Sequence, residues 1–122
     1  MEPRITRYPN GNIHRKDYIS KINGEWHRED GPAAIGYYED GSSILYEQYC
    51  LHDKLHRNDG PAYITYYENG NIKYQEYYIN GNEIPLKTVQ TMIKDLGIPE
   101  DHREWDEHQR MMFQFHFLTM VG

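Results

Sequence analysis

A mostly β fold with a helical C-terminal segment, an α+β arrangement, is predicted by three observations in this 122-residue sequence. A heptapeptide recurs, the segments around it are rich in tyrosine and β-branched residues, and the apolar period changes after Pro85. His27-Arg28-Glu29-Asp30-Gly31-Pro32-Ala33 returns as His56-Arg57-Asn58-Asp59-Gly60-Pro61-Ala62. Tyr37-Tyr38-Glu39-Asp40-Gly41 returns as Tyr66-Tyr67-Glu68-Asn69-Gly70, also 29 residues on (27 to 56, 37 to 66). A fixed offset of this size marks stacked supersecondary units.

The first unit is a worn copy within residues 1–24. Tyr8-Pro9-Asn10-Gly11 matches Tyr38-Glu39-Asp40-Gly41, and Ile22-Asn23-Gly24 matches Ile79-Asn80-Gly81. An atypical terminal unit fits a stack that must be capped. Each full unit reads as a pair of strands. Pro61 to Tyr67 is one, Asn69-Gly70 turns the chain with the signature of a type I′ hairpin, and Ile72 to Ile79 returns. The middle unit repeats this with Asp40-Gly41, Ile44 to Leu51 and a turn at His52-Asp53. The result is an antiparallel meander of about 2.5 repeats with about six strands between Arg4 and Ile84. Alternation places Ile35, Tyr37, Ile64 and Tyr66 on one face and Tyr38, Tyr63, Thr65 and Tyr67 on the other. Ile44 and Tyr46, like Ile72 and Tyr74, are expected to share a face.

Residues 1–84 thus form the repeat sheet and residues 85–122 a helical, aromatic-rich segment that packs on it in one compact domain. Leu86, Val89, Met92, Ile93 and Leu96 follow helical spacing, with Gly97 and Pro99 as the stop. A second helix is expected from near Pro99. The row Met111, Phe113, Phe115, Phe117 has period two, which favours extended structure over 113–118.

Composition narrows the function classes. Twelve tyrosines account for most of the aromatic content, and each needs its hydroxyl wet or partnered. Net charge is −6 and no basic run occurs, which excludes general nucleic-acid binding and adhesion to anionic membranes. No apolar run approaches a membrane span. Cys50 is the only cysteine, so no internal disulfide forms, and a cytoplasmic setting is expected.

The heptapeptide has the atoms for acid–base or phosphate chemistry, with His27, Arg28 and Asp30 in one copy and His56, Arg57 and Asp59 in the other. Its recurrence points instead to a structural joint. Asp30 and Asp59 are expected to accept backbone amides, Gly31 and Gly60 to take an unusual φ, and Pro32 and Pro61 to open the next strand. The arginines can stack on tyrosines of the adjacent unit, each such contact contributing on the order of 0.5–1 kcal/mol. A small enzyme or ligand binder using His27/Arg28 or His56/Arg57 is the competing reading. No metal site is expected from the scattered histidines, Cys50 has no marked base, and the glycines belong to turns, so no cofactor and no catalytic residue are assigned.

Tandem Tyr-x-(Asn/Asp)-Gly followed by a Tyr-rich strand, over residues 5–84, resembles MORN-type repeats and related antitoxin-like repeat proteins. The His-Arg-x-Asp-Gly-Pro-Ala form is similar to repeats of viral and bacterial proteins. The resemblance implies an elongated hairpin scaffold for protein interaction, and the size and unique tail are those of a small phage or viral protein that occupies a host factor in the host cytoplasm. The functional expectation is a non-enzymatic protein-binding module, an inhibitor or antitoxin-like neutraliser, contacting its protein partner through Tyr38, Tyr63, Tyr67 and Trp105. The alternative is a self-assembling repeat protein, a homo-oligomer joined at sheet edges or through Met111 to Leu118.

Overall fold

The computed structural model describes residues 2–121. It is an antiparallel meander followed by two helices, as the period change implies. The strands are β1 (Arg4–Arg7), β2 (Ile13–Asp17), β3 (Ala34–Tyr37), β4 (Ile44–Gln48), β5 (Cys50–Leu51), β6 (Lys54–Leu55), β7 (Tyr63–Tyr66), β8 (Ile72–Ile79) and β9 (Asn82–Ile84). Seven of them make one sheet in the order β1-β2-β3-β4-β7-β8-β9, and β5 pairs with β6 alone. Nine strands therefore replace the expected six or so. Each return strand runs on into a second, shorter hairpin, Leu51 pairing with Lys54 and Ile79 with Asn82.

The two hairpins of a unit turn by different chemistry. At the first, the N–H of Gly11, Gly41 or Gly70 donates to the carbonyl of Tyr8, Tyr38 or Tyr67 at 2.9–3.0 Å, and only the glycine is left-handed. Asn69 has no positive φ, so Asn69-Gly70 is not the expected type I′ turn. It is a type I-like turn with glycine in the left-handed place, and the Asn69 side chain accepts the Asn71 amide at 2.9 Å. Positive φ at both central residues occurs at the second hairpins, His52-Asp53 (51° and 65°) and Asn80-Gly81 (50° and 82°).

A register shift recurs beside the first turn of every unit. Tyr37 pairs with Ile44 but Gly36 with Tyr46, and Tyr66 with Ile72 but Thr65 with Tyr74. One residue, Leu45 or Lys73, is skipped, which turns the strand beyond it over. Ile44 and Tyr46 consequently lie on opposite faces, contrary to simple alternation. Gly36 lies under its cross-strand partner, where a Cβ would sit 2.0 Å from the Tyr46 ring. The predicted faces of the outgoing strands hold. Ile64 and Tyr66 are on the face that includes Glu47, to which the Tyr66 hydroxyl donates, while Tyr63 meets Tyr74 on the other.

After Pro85 the chain forms α1 (Leu86–Leu96), ended by Gly97 at φ 68° whose N–H returns to Lys94. Val89 and Ile93 face inward. A short 3-10 turn (His102–Glu104) follows, then α2 (Glu107–Val121). The second helix thus begins eight residues past Pro99 (99 to 107), and residues 113–118 are helical rather than extended. Asp106 and Gln109 fix its start reciprocally: the Gln109 amide donates to the Asp106 carboxylate at 2.7 Å and the Asp106 amide to Gln109 Oε1 at 3.0 Å. The period-two row resolves into two helical stripes. Phe113 and Phe117 go inward, Met111 and Phe115 outward. The core joins Tyr77 of β8 to Val89, Ile93, Ile98, Trp105, Phe113 and Phe117.

Candidate functional site

The recurring heptapeptide forms two near-identical joints. Arg28 lies 3.9 Å over the Tyr18 ring and Arg57 3.9 Å over Tyr49. Arg28 Nε donates to Asp30 (3.0 Å) and Nη1 to the Pro32 carbonyl (3.2 Å); Arg57 does the same with Asp59 (2.9 Å) and Pro61 (3.1 Å). The carboxylates therefore serve the guanidinium and not an amide-accepting turn. Gly31 and Gly60 have no positive φ. Glycine leaves room there for the stacked arginine, since a Cβ would stand 2.9 Å from the guanidinium carbon and displace it. His27 Nδ1 accepts the His52 amide (3.1 Å) and His56 Nδ1 the Asn80 amide (3.0 Å), so each imidazole holds the left-handed turn of the next unit. Ring nitrogen, fork and carboxylate are engaged in these joints, and Arg28, Asp30, His56, Arg57 and Asp59 also line one cavity of about 440 Å³.

Of the four expected contact residues, Tyr38 is half-buried and its hydroxyl donates to the Tyr66 carbonyl at 2.7 Å, as Tyr8 does to Tyr37 one unit earlier. It stacks units together. Tyr63 is half-buried against Tyr74, whereas Tyr67 is half-exposed at 50%. Trp105 is not a surface residue. It is 4% exposed, its ring 4.6 Å from Phe113, with Nε1 donating to the Pro99 carbonyl at 2.6 Å. A lone Trp after an acidic turn is read as exposed only if α2 is misplaced; once the helix starts at Glu107, Trp105 precedes it and closes the core.

The surface that sequence reasoning located only as part of Met111 to Leu118 is the outer stripe of α2. Met111, Phe115, Leu118 and Met120 are all exposed. Met111, Phe115 and Leu118 follow i, i+4, i+7 spacing, which was hidden because the inward phenylalanines interleave with them, while Met120 at i+9 falls outside that stripe.

Titratable groups cluster where the helices meet the sheet. His102 is 5% exposed and its Nδ1 has no hydrogen-bond partner. Burial, with Arg57 acting in the same direction, lowers its pKa to about 4 from the ordinary 6.5. The unfolded chain thus takes up this proton first, near pH 6.5, and the folded one only near pH 4. Stability from neutral His102 is complete above the first value and lost as pH falls toward the second, a cost of up to roughly 3 kcal/mol. His56, lowered by burial, adds in the same sense. Urea midpoints should fall on acidification through this window, and less steeply in His102→Gln; equal slopes in the two proteins would refute the assignment. Cys50 is buried, which raises its thiol to about 11 and leaves it protonated at neutral pH. Among the described residues, no three His, Cys, Asp or Glu side chains are grouped to hold a metal ion, and no helix is long and apolar enough to cross a membrane.

Compared with protein-family models, curated proteins and solved structures, the chain has no significant match. The fold defines a tandem hairpin-repeat sheet joined by Arg–Tyr stacks and closed at one end by a two-helix cap.

Proposed function

We propose that this chain is a non-enzymatic protein-binding module whose contact surface is the outer face of α2. The observation that carries the reading is the exposure of Met111 at 61% and Phe115 at 68% on a helix whose opposite side, Phe113 and Phe117, is fully buried. A helix apolar on both sides ordinarily has cover on both. From Met111 to Val121 the helix has no Asp, Glu, Lys or Arg, so drying this face buries no formal side-chain charge other than that of a protonated His116. The occupant that fits is a different protein offering an apolar groove with a basic rim. A second copy would bring together two chains of net charge −6 each, whereas a basic rim complements the acidic chain. The MORN-like interaction role belongs to this same reading, with the repeat sheet as the scaffold that holds α2.

A photo-crosslinking residue at position 115, introduced in the native cell, identifies the partner, and binding is then measured with purified components. Phe115→Ser and Met111→Ser are each expected to weaken it about tenfold or more. Tyr67→Ser, on the sheet, is expected to leave it unchanged. A partner indifferent to residues 111 and 115, or a homodimer that depends on them, would overturn the proposal.

A further inference from the structure

Between the repeat sheet and the helical cap lies a cavity of about 570 Å³ whose lining includes three arginines, Arg57, Arg103 and Arg110. We infer that this cavity is a binding site for a small phosphoryl oxyanion, free phosphate or a phosphate monoester, a property separate from the outer face of α2.

The three arginines come from separate elements. Arg57 belongs to the second heptapeptide, Arg103 to the 3-10 turn and Arg110 to the first turns of α2. Two of them are held by other bonds before any ligand arrives. Arg57, with its side chain 12% exposed, is fixed by Asp59 and the Pro61 carbonyl. Arg103 grips Asp101 through Nε and Nη2 and donates Nη1 to the Gly70 carbonyl at 2.8 Å. Arg110 differs. Its side-chain contact is a long 3.4 Å bond from Nη2 to the Trp105 carbonyl, and among the described residues no carboxylate lies within ion-pair distance of it. Beside them His102 is buried, with an unpartnered Nδ1.

The charges in the wall set the size of the ligand. Asp59 and Asp101 offset Arg57 and Arg103, while Glu47 also faces the cavity and accepts the Tyr66 hydroxyl at 2.5 Å. Counting Glu47, three carboxylates balance the three guanidiniums and the wall is neutral overall, so the site suits an anion of a single charge held at Arg110, the guanidinium without an ion pair among the described residues, and not a polyanion. The chain as a whole, at −6, would repel a polyanion. Guanidinium forks match both carboxylates and phosphates. Donors arriving from three elements can each take a different oxygen of a tetrahedral anion, whereas a planar carboxylate offers only two oxygens. That geometry favours the phosphoryl group.

The test is an NMR titration of the intact chain with inorganic phosphate at constant ionic strength and pH, following side-chain resonances of His102 and the arginines. Saturable changes confined to Arg57, His102, Arg103 and Arg110 are expected. Arg110→Gln should weaken binding about tenfold or more, and Arg110→Lys, which keeps the charge and loses the fork, should weaken it by a smaller factor. A parallel titration with phenyl phosphate separates a monoester from free phosphate as the better-fitting source. The proposal is overturned if the shifts reach Arg4 and Arg7 equally, if they remain unsaturated at about 20 mM phosphate, if acetate reproduces them, or if Arg110→Lys binds as well as the parent. Because Arg110 is partly exposed and makes one weak side-chain bond, melting curves of both variants establish that the fold persists.

Discussion

Phe113→Ala is expected to lower the unfolding free energy by about 3–5 kcal/mol, the largest single effect in this chain. Phe113 is fully buried and its ring meets Trp105 at 4.6 Å, Phe117 at 5.1 Å and Tyr77 at 6.0 Å. Alanine would leave a void that three rigid aromatic neighbours cannot close, since each is itself held by the others. For a domain with about 5–15 kcal/mol in total, that removes a large share of its stability. The loss should be uneven. The repeat sheet keeps its own ladder, so in a Trp26→Phe background, where Trp105 of the cap is the remaining tryptophan, urea denaturation followed by fluorescence should show the cap released ahead of the strands. A midpoint within experimental error of the parent, or a loss under about 1 kcal/mol, would show that the cap is not anchored through this ring.

Arg57→Ala is expected to cost about 2–3 kcal/mol. Arg28→Ala, with identical bonds, should cost roughly half of that. The difference lies in exposure. Arg57 and Asp59 have side chains 12% and 35% exposed, Arg28 and Asp30 25% and 87%. Removing Arg57 strands a carboxylate and the Pro61 carbonyl in a partly dry joint and bares the Tyr49 ring. The same deletion at Arg28 leaves groups that water reaches. Arg57→Lys should recover only part of the loss, because an ammonium cannot stack on Tyr49 and fork to two acceptors at once. Equal losses at the two positions would contradict an account in which burial, rather than the motif itself, sets the energy. These changes bear on the phosphoryl site only through Arg57, so Arg110 remains the cleaner probe of binding.

The repeat was legible because its chemistry is local. Tyr-x-(Asn/Asp)-Gly sets a turn through the glycine's left-handed φ and the preceding side chain's bond to an amide two residues on, both contained in a few residues. The reading of His27, Arg28, Asp30 and their copies as a structural joint also rested on local pattern, and each of them makes a contact in that joint. The fine register was less accessible. The skipped Leu45 and Lys73 look like ordinary strand residues, and only pairing with β3 and β7 reveals the shift. The capping pair Asp106 and Gln109 was present in the sequence and would have placed the start of α2 correctly.

What the sequence by itself determined is the set of short-range structures: hairpins where Gly can adopt positive φ, a helix where apolar residues recur every three or four positions, and a stop at Gly97. Which aromatic side chains are covered was decided only by tertiary structure. Trp105 and Phe115 are both large apolar residues in the same tail, and one is 4% exposed, the other 68%. The difference comes from where the cap meets Tyr77 of β8, a contact between residues far apart in the chain. Arg110 likewise reads as one more surface charge until the cap brings it into the lining of the same cavity as Arg57, which lies 53 residues earlier (57 to 110). Local rules act through a residue's own dihedrals and near neighbours, while burial and convergence depend on which surfaces the finished chain presses together.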